Sequence, residues 1–359
     1  MRNKKIVILW CFCLSVFGIH FKYQSSVVTQ KTLENTATNT VHINRYVPLE
    51  KYVANLEDNV FDCVEVKIQP TFNICIYNYK EDKYISNTII EKGLYQPENT
   101  ESFKYILNRC TDCIFIDLGC NLGYFSLLSS ALGHKTVSYD ILSSNLNKLS
   151  KASEVSKLKI SIYKYGVSGS ENPHAYAFEG DSSIGERGQG TILNSELDQD
   201  YVPAYYEKFQ TITISRIFHD LQMTNVINQT SPPIILKLDL DTHECSVFEE
   251  NSNVFINLSI PYIIMRWNFI AYDPYKPKDL AYTKPKKSIC SLESLKIMIH
   301  FLIDVYEYIP YSLDTIKPLL KRDLTGSPRS NWLVQQKDPH VLWIHRNVNT
   351  KKTTDFEIK

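Results

Sequence analysis

The chain has 359 residues, with 39 basic and 39 acidic side chains, so its formal net charge is zero. Apolar residues make up 43% and charged residues 22%, which supplies a sizeable core and excludes a disordered, collagen-like or disulfide-scaffold protein. Charge neutrality also argues against a general binder of phosphate backbones, so nucleic acid is not an expected partner. The length fits one large α/β domain with additions, or two small domains.

Arg2, Lys4 and Lys5 precede an uncharged apolar run from Ile6 to Phe21. Residues 1–21 therefore read as a signal peptide or a short signal-anchor, whose apolar run of 16 residues is under the roughly 20 that span a standard bilayer. Basic residues ahead of the run keep the N-terminus cytosolic and send the remainder across the membrane. The expected location is the Golgi or endoplasmic reticulum membrane, single-pass with a luminal body, or secretion if the leader is cleaved. Residues 22–46 are rich in Thr, Asn, Ser and Gln without apolar periodicity, as in a flexible stem. Asn228-Gln229-Thr230 and Asn257-Leu258-Ser259 are glycosylation sequons. Cys63, Cys75, Cys110, Cys113, Cys120, Cys245 and Cys290 lie beyond the apolar run, and in an oxidising lumen some should pair, although the pairing is not fixed by sequence. Cys113, Cys120 and Cys245 read equally well as buried thiols. The lone Cys110/Cys113 pair has no partner motif at zinc spacing, so no metal site is expected.

From residue 47 onward one domain is expected. Strands are expected over Cys63–Gln69 and Phe72–Tyr79, and a helix around Ser102–Arg109. Strand and helix then alternate: strand Cys113–Ile116, helix Leu122–Leu132, strand Thr136–Tyr139, helix Leu142–Lys157, strand Leu158–Tyr165. Further strands are expected at Pro233–Leu240, Tyr262–Trp267 and Val341–His345. Short, continuously apolar strands separated by helices imply an α/β fold with a doubly wound, mostly parallel sheet and helices on both faces. Residues 166–206, rich in Gly, Ser, Glu and Asp over much of their length, are expected to form an excursion or lid over the site.

The most informative segment is Ile116-Asp117-Leu118-Gly119-Cys120-Asn121-Leu122-Gly123-Tyr124. A buried strand enters a turn with glycines four residues apart and then a helix. Gly119 is read as removing a Cβ where the chain passes close to a ligand, and Gly123 as letting the helix start pack near the strand end. Asp117 ends the strand, where open α/β sheets bind ligands, and suits a cationic or amine-bearing one. Asp140 ends the next strand, 21 residues after Gly119, and is placed to accept hydrogen bonds from ribose hydroxyls. Ser168, near the end of the third strand, would border the adenine side. Neither G-x-G-x-x-G nor G-x-x-x-x-G-K-[ST] is present. S-adenosylmethionine therefore fits better than a dinucleotide or a nucleoside triphosphate.

A second constellation is Ile235-Leu236-Lys237-Leu238-Asp239-Leu240-Asp241-Thr242-His243-Glu244. Alternation places Lys237, Asp239 and Asp241 on one face and Leu236, Leu238 and Leu240 on the other. A lysine inside a central strand is costly to bury alone, so it should meet an acid. Asp239 and Asp241 then crowd the strand's carboxyl end beside the glycine turn, where Asp239 joins the cofactor side. His243 and Glu244 open the next helix, facing the same end.

Taken together, FIDLGCNLGYFSLL, KTVSYD, TITISRIFHDL and IILKLDLDTHECSVF resemble the FkbM-type methyltransferase family over roughly Phe103 to Arg346. The resemblance implies a Rossmann-like fold with a seven-stranded sheet whose last strand is antiparallel, S-adenosylmethionine as cofactor, and methylation of a hydroxyl oxygen. It places Asp117, Gly119, Asn121 and Gly123 on the cofactor loop and Asp140 at the ribose. Lys237, Asp239 and Glu244 match the later family motif. Cys120 replaces a small alanine, Asp241-Thr242 stands where Glu-Gly is usual, and Arg266 stands after the fifth strand where an acid is expected.

Methyl transfer to a hydroxyl needs alignment and benefits from a general base. Asp241 and His243 are the candidates, with Glu244 or Asp239 orienting them. His345 is a weak acceptor-side candidate, His219 reads as structural, and Asp273-Pro274-Tyr275 as a coincidental match to an amino-methyltransferase motif. Tyr201, Tyr205 and Tyr206 are placed to stack on sugar faces. The expected function is an O-methyltransferase of the secretory pathway acting on a hydroxyl-bearing glycan or small molecule. The alternatives are a cofactor-binding pseudoenzyme acting as an interaction protein and a nicotinamide-dependent oxidoreductase.

Overall fold

The computed structural model describes residues 46–56, 60–179, 190–193, 206–227, 232–241, 243–249, 254–267, 290–325 and 339–348. The leader, residues 22–45, Tyr201, Tyr205, the Asn228 sequon, Thr242 and the Asp273-Pro274-Tyr275 segment lie outside the described residues. Among the described residues, no helix is long and apolar enough to cross a membrane.

An antiparallel hairpin, β1 (Asp62–Glu65) and β2 (Asn73–Ile76), is followed by α1 (Ser86–Lys92) and α2 (Pro97–Arg109). Gly93 ends α1 in the left-handed region, and Pro97 opens α2 where a missing N–H leaves no bond unmade. Next come β3 (Ile114–Leu118), α3 (Tyr124–Ala131), β4 (Thr136–Asp140), α4 (Ser143–Val155) and β5 (Ile160–Lys164). The excursion contains β6 (Gly166–Val167), β7 (Asn172–Glu179), β8 (Gly190–Leu193) and β9 (Tyr206–Ile212), a separate sheet ordered β6-β9-β7-β8. Then follow α5 (Ile214–Met223), β10 (Ile234–Leu238), α6 (Glu244–Glu249), α7 (Val254–Asn257) and β11 (Tyr262–Arg266). Thr213 caps α5 by accepting the Arg216 N–H at 3.1 Å. After α8 (Leu292–His300) and one π-helical turn come β12 (Tyr308–Ser312), α9 (Lys321–Leu324) and β13 (His340–His345).

The result is a mixed α/β architecture around a seven-stranded sheet ordered β12-β13-β11-β10-β3-β4-β5. Neighbours from β11 to β5 run parallel, and β13 is antiparallel to both β11 and β12. The strands expected along the alternating region are all present within a few residues of their expected bounds. The hairpin strands are shorter than expected, because pairing extends only from Asp62↔Ile76 to Glu65↔Asn73. The helix α1, the strand β12 and the four-stranded excursion sheet carry no clear sequence period and were not anticipated.

Alternate residues of each central strand feed two cores. Ile114, Ile116 and Leu118 of β3 pack with Ile217 of α5, Val247 of α6 and Leu295 of α8. Phe115 faces the other way, with Phe103 of α2, Leu127 of α3 and Leu149 of α4. The segment before β1 runs along the β5 edge: Tyr52 N–H donates to the Ile162 carbonyl at 2.8 Å, and Leu49 N–H to Asp220 at 2.7 Å. That contact covers part of a sheet edge that would otherwise offer unpaired backbone groups.

Disulfides join Cys63 to Cys75, Cys110 to Cys113 and Cys245 to Cys290, while Cys120 is a buried free thiol. This corrects the reading of Cys113 and Cys245 as simple thiols and retains it for Cys120. The first bridge spans directly opposed residues of the β1–β2 hairpin.

Phe115 is fully buried and its ring meets Phe103 edge-on at 5.2 Å. Phe115→Ala is expected to lower unfolding stability by about 3–5 kcal/mol. Chemical denaturation with the disulfides intact measures that loss.

Candidate functional site

From β3 the chain winds outward through β4 to β5, then returns to β10 on the other side of β3 and winds outward to β11. The reversal leaves a crevice beyond the carboxyl ends of β3 and β10, the place where open α/β sheets take ligands. A cleft of about 1090 Å³ opens there. Its floor is the turn Gly119–Leu122 together with Lys237, Asp239, Leu240 and Asp241. One half is walled by Asp140, Ile141, Tyr165, Gly166 and Val167. The other half is walled by the α1–α2 region, including Tyr95, Gln96 and Asn99, with Arg266 and Asp314.

A polar row crosses the three central strands beneath this floor. Ser138 of β4, Asp117 of β3 and Lys237 of β10 are direct cross-strand neighbours. The Lys237 ammonium lies 2.9 Å from Asp117 Oδ1 and donates to the Gly119 carbonyl at 3.0 Å. Asp239 Oδ2 is 3.9 Å away. The Ser126 hydroxyl of α3 donates to Asp117 Oδ2 at 2.6 Å and accepts from Ser138 at 2.8 Å. The lysine thus meets an acid, as its burial requires. Burial pushes the Lys237 pKa down, but Asp117 and Asp239 outweigh it and hold the ammonium above its ordinary value.

Two glycines fix the turn. Gly119 sits at φ 84°, and a Cβ there would lie 1.9 Å from the Asp239 carbonyl oxygen. It permits close approach of the β3 and β10 loops, a contact the sequence reading did not anticipate, while Gly119 itself lines the cleft. Gly123, at φ 79°, makes room for the Leu149 side chain of α4, so the close packing is against a neighbouring helix rather than the strand end that was expected. Asn121 and Asp241, both lining the cleft, adopt left-handed φ values of 51° and 50°. Asn and Asp tolerate that region better than other side chains, and such backbone clusters at binding sites.

Asp140 stitches the turn to the end of β4. Its carboxylate accepts Asn121 N–H at 2.8 Å, Leu142 N–H at 3.0 Å and the Asn145 amide at 3.3 Å. Burial raises its pKa against the pull of those bonds. Each carboxylate oxygen has two acceptor positions, so capacity for a ligand hydroxyl remains. Asp239 is partly buried, which pushes its carboxyl up, but Arg266 at 3.4 Å and Lys237 outweigh that and hold it below the usual range.

Of the anticipated residues, Gly119, Asn121, Asp140, Asp239 and Asp241 line the cleft together. Asp117, Gly123, Ser168, His243 and Glu244 do not. Asp117 is 1% exposed and committed to Lys237 and Ser126, so it supports the floor from below. Ser168 donates its N–H to Ile212 and adjoins the wall residues Gly166 and Val167. His243 is buried, and burial brings its pKa from 6.5 down to about 4, so the imidazole is neutral at pH 7. Glu244 accepts the Leu240 N–H at 2.8 Å through Oε1, while its buried Oε2 has no hydrogen-bond partner among the described residues. Burial pushes its pKa up to about 8, with Asp239 and Asp241 adding to the rise. His243 and Glu244 therefore shape the turn that presents Asp241.

His345 is corrected as an acceptor-side candidate. Because β13 is antiparallel, His345 reaches the amino edge of the sheet, where its N–H donates to Pro261, and His340 arrives opposite Arg266 at the carboxyl edge. His340 is buried and its Nδ1 lies 3.2 Å from the Asn99 amide nitrogen. His340, Asn99, Tyr95 and Asp314 escaped the sequence reading; strand polarity was the signal that identifies the first. His219 is exposed on α5. Among the described residues no group of three or more His, Cys, Asp or Glu is arranged to hold a metal ion. No family model matches the chain, and no curated protein matches its sequence.

Removing Lys237 would leave Asp117 buried and uncompensated. Lys237→Met is expected to cost about 3–5 kcal/mol, and pairing it with Asp117→Leu should return much of that loss. Denaturation of the two single variants and the double variant reads the coupling. Glu244 yields a pH signature. Its folded pKa of about 8 lies above the ordinary 4.5, so its contribution to stability is full below 4.5 and disappears as pH rises through 8. Relative to the unsubstituted chain, Glu244→Gln should become progressively more stable across that window, as followed by denaturation at stepped pH.

Proposed function

We propose that this chain is an S-adenosylmethionine-dependent O-methyltransferase of the FkbM type with a Rossmann-like fold. It acts in the Golgi or endoplasmic reticulum lumen on a hydroxyl of a glycan or small molecule. The observation that carries this reading is Asp140 at the carboxyl end of β4, facing a cleft at the sheet's reversal beside the Gly119–Asn121 turn. The strand order, with an antiparallel β13 inserted between β11 and β12, agrees with the sheet that the resemblance implies. Three disulfides agree with an oxidising compartment.

The lining chemistry fits the cofactor. The cleft, at about 1090 Å³, is slightly larger than most small-molecule sites, which run from about 300 to 1,000 Å³, and leaves room for a cofactor and an acceptor. Ile141, Tyr165 and Val167 offer an apolar wall beside Asp140, suited to an adenine next to its ribose. Asp140, Asp239, Asp241, Glu98 and Asp314 outnumber Lys92, Lys237 and Arg266 among the residues lining the cleft, which favours a ligand bearing positive charge. When bound, S-adenosylmethionine supplies a methyl group activated by its sulfonium.

The protein's own contribution is position and proton transfer. The Asp140 carboxylate would hold the ribose hydroxyls, with the Gly119–Asn121 turn beside it. The α1–α2 wall, with Asn99 and Arg266, receives the acceptor. Asp241, presented on a left-handed turn, takes the acceptor hydroxyl's proton onto its carboxylate. Asp239 is the poorer base, since Arg266 and Lys237 stabilise its ionised form.

A second reading draws on the Asp239–Arg266 pair, which puts a cation into the acceptor half. It is a chain that binds the cofactor but transfers nothing and serves as an interaction protein. Calorimetry of the disulfide-intact chain with S-adenosylmethionine tests both readings. Asp140→Ala removes hydrogen bonds of about 1.5–3 kcal/mol and should weaken binding roughly ten- to hundredfold. No binding, or tighter binding of NAD, defeats the proposal. Binding without transfer of labelled methyl to any glycan or metabolite mixture selects the interaction protein.

A further inference from the structure

The sequon Asn257-Leu258-Ser259 lies outside the chemistry of the cleft, and its surroundings single it out. Asn257 ends α7, and both Asn257 and Ser259 are exposed. Phe255 on one side and Ile260 on the other are buried at 6% and 3% exposure. Between these two anchors Asn257 and Ser259 face solvent, while Leu258 packs partly against the core. Leu258 is not proline, so the sequon is chemically competent.

Its place in the sheet matters as much as its exposure. The Ser259 carbonyl accepts the N–H of Ile234, the first residue of β10, at 2.8 Å. Asn257 therefore sits at the amino edge of the parallel strands. The cleft opens at their carboxyl edge, a five-residue strand or roughly 16 Å away. A branched oligosaccharide at Asn257 would leave the cleft entrance clear. It would also stand beside Ile256, an apolar side chain 65% exposed on the same turn. An exposed apolar residue is unremarkable singly, but here a glycan gives it cover.

We propose that Asn257 carries an N-linked glycan. In the transfer step, Asn257 Nδ2 forms a bond to the anomeric carbon of a lipid-pyrophosphate-linked oligosaccharide. The carbon–oxygen bond to the pyrophosphate breaks, the lipid pyrophosphate leaves with the electron pair, and one amide proton goes to a base of the transferring enzyme. The Ser259 hydroxyl is the sequon partner that this step requires. The inference rests on the luminal location in the proposed function and is independent of cofactor binding.

The test is full-chain expression in a eukaryotic secretory host with Asn228→Gln in the background, so that one sequon remains. Peptide mass spectrometry after enzymatic glycan release should find residue 257 converted to aspartate. Asn257→Gln and Ser259→Ala should each abolish the glycosidase-sensitive mobility shift, and Ser259→Thr should keep it. An unmodified Asn257 in chains whose Cys63 and Cys75 are recovered as a disulfide would overturn this inference alone. An unmodified Asn257 with those cysteines reduced would overturn both the glycan and the luminal location, whatever calorimetry says about S-adenosylmethionine.

Discussion

The site is organised around a buried ion pair, Lys237 with Asp117, set side by side on the two central strands. Neither charge can leave the pair, since both are almost inaccessible to water, and an uncompensated charge at that depth is strongly unfavourable. The ammonium has three protons to place. One serves Asp117, another the Gly119 carbonyl, and Asp239 lies at the edge of reach. A single side chain thereby ties together the turn after β3 and the turn after β10, the two segments that form the cleft floor. Gly119 completes the arrangement by letting those turns approach to backbone contact.

From that constraint the division of labour among the acids follows. Asp117 is committed to structure and is hidden below the floor. Asp140 uses its carboxylate to hold the Asn121 and Leu142 amides yet still faces the cleft. Asp239 is held ionised by two cations. Asp241 stands at the turn's exposed side in a left-handed conformation. Glu244, protonated at neutral pH and bound to the Leu240 N–H, braces that turn from inside. Five carboxyl groups within one short region thus have different environments, and environment rather than residue type separates their roles.

Much of this was legible in the chain. The continuous apolar run Cys113–Ile116 and the largely apolar stretch Pro233–Leu240 mark central strands, and the glycine turn marks the crevice. Lys237 inside such a run demands an acid by elementary electrostatics, although sequence could not name which one. Asp140 was identifiable because its distance from Gly119 matches one strand–helix–strand step. By contrast, α1 and β12 are short and lack a period, and the excursion sheet consists of short strands set among polar residues. Nothing local announces them, because their stability comes from what they pack against.

The sequence by itself determined the alternating layers, the two motif-bearing strand ends and the need to neutralise Lys237. These depend on local periodicity, glycine's conformational freedom and the cost of burying charge, all of which act within a few residues. Tertiary structure alone decided that Asp117 faces inward while Asp140 and Asp241 face the cleft. It also decided that His243 and Glu244 lie behind the turn, and that His340 rather than His345 reaches the carboxyl edge. Those outcomes turn on strand order and polarity, which are set by contacts between residues 74 to 120 positions apart and leave no mark on the local pattern.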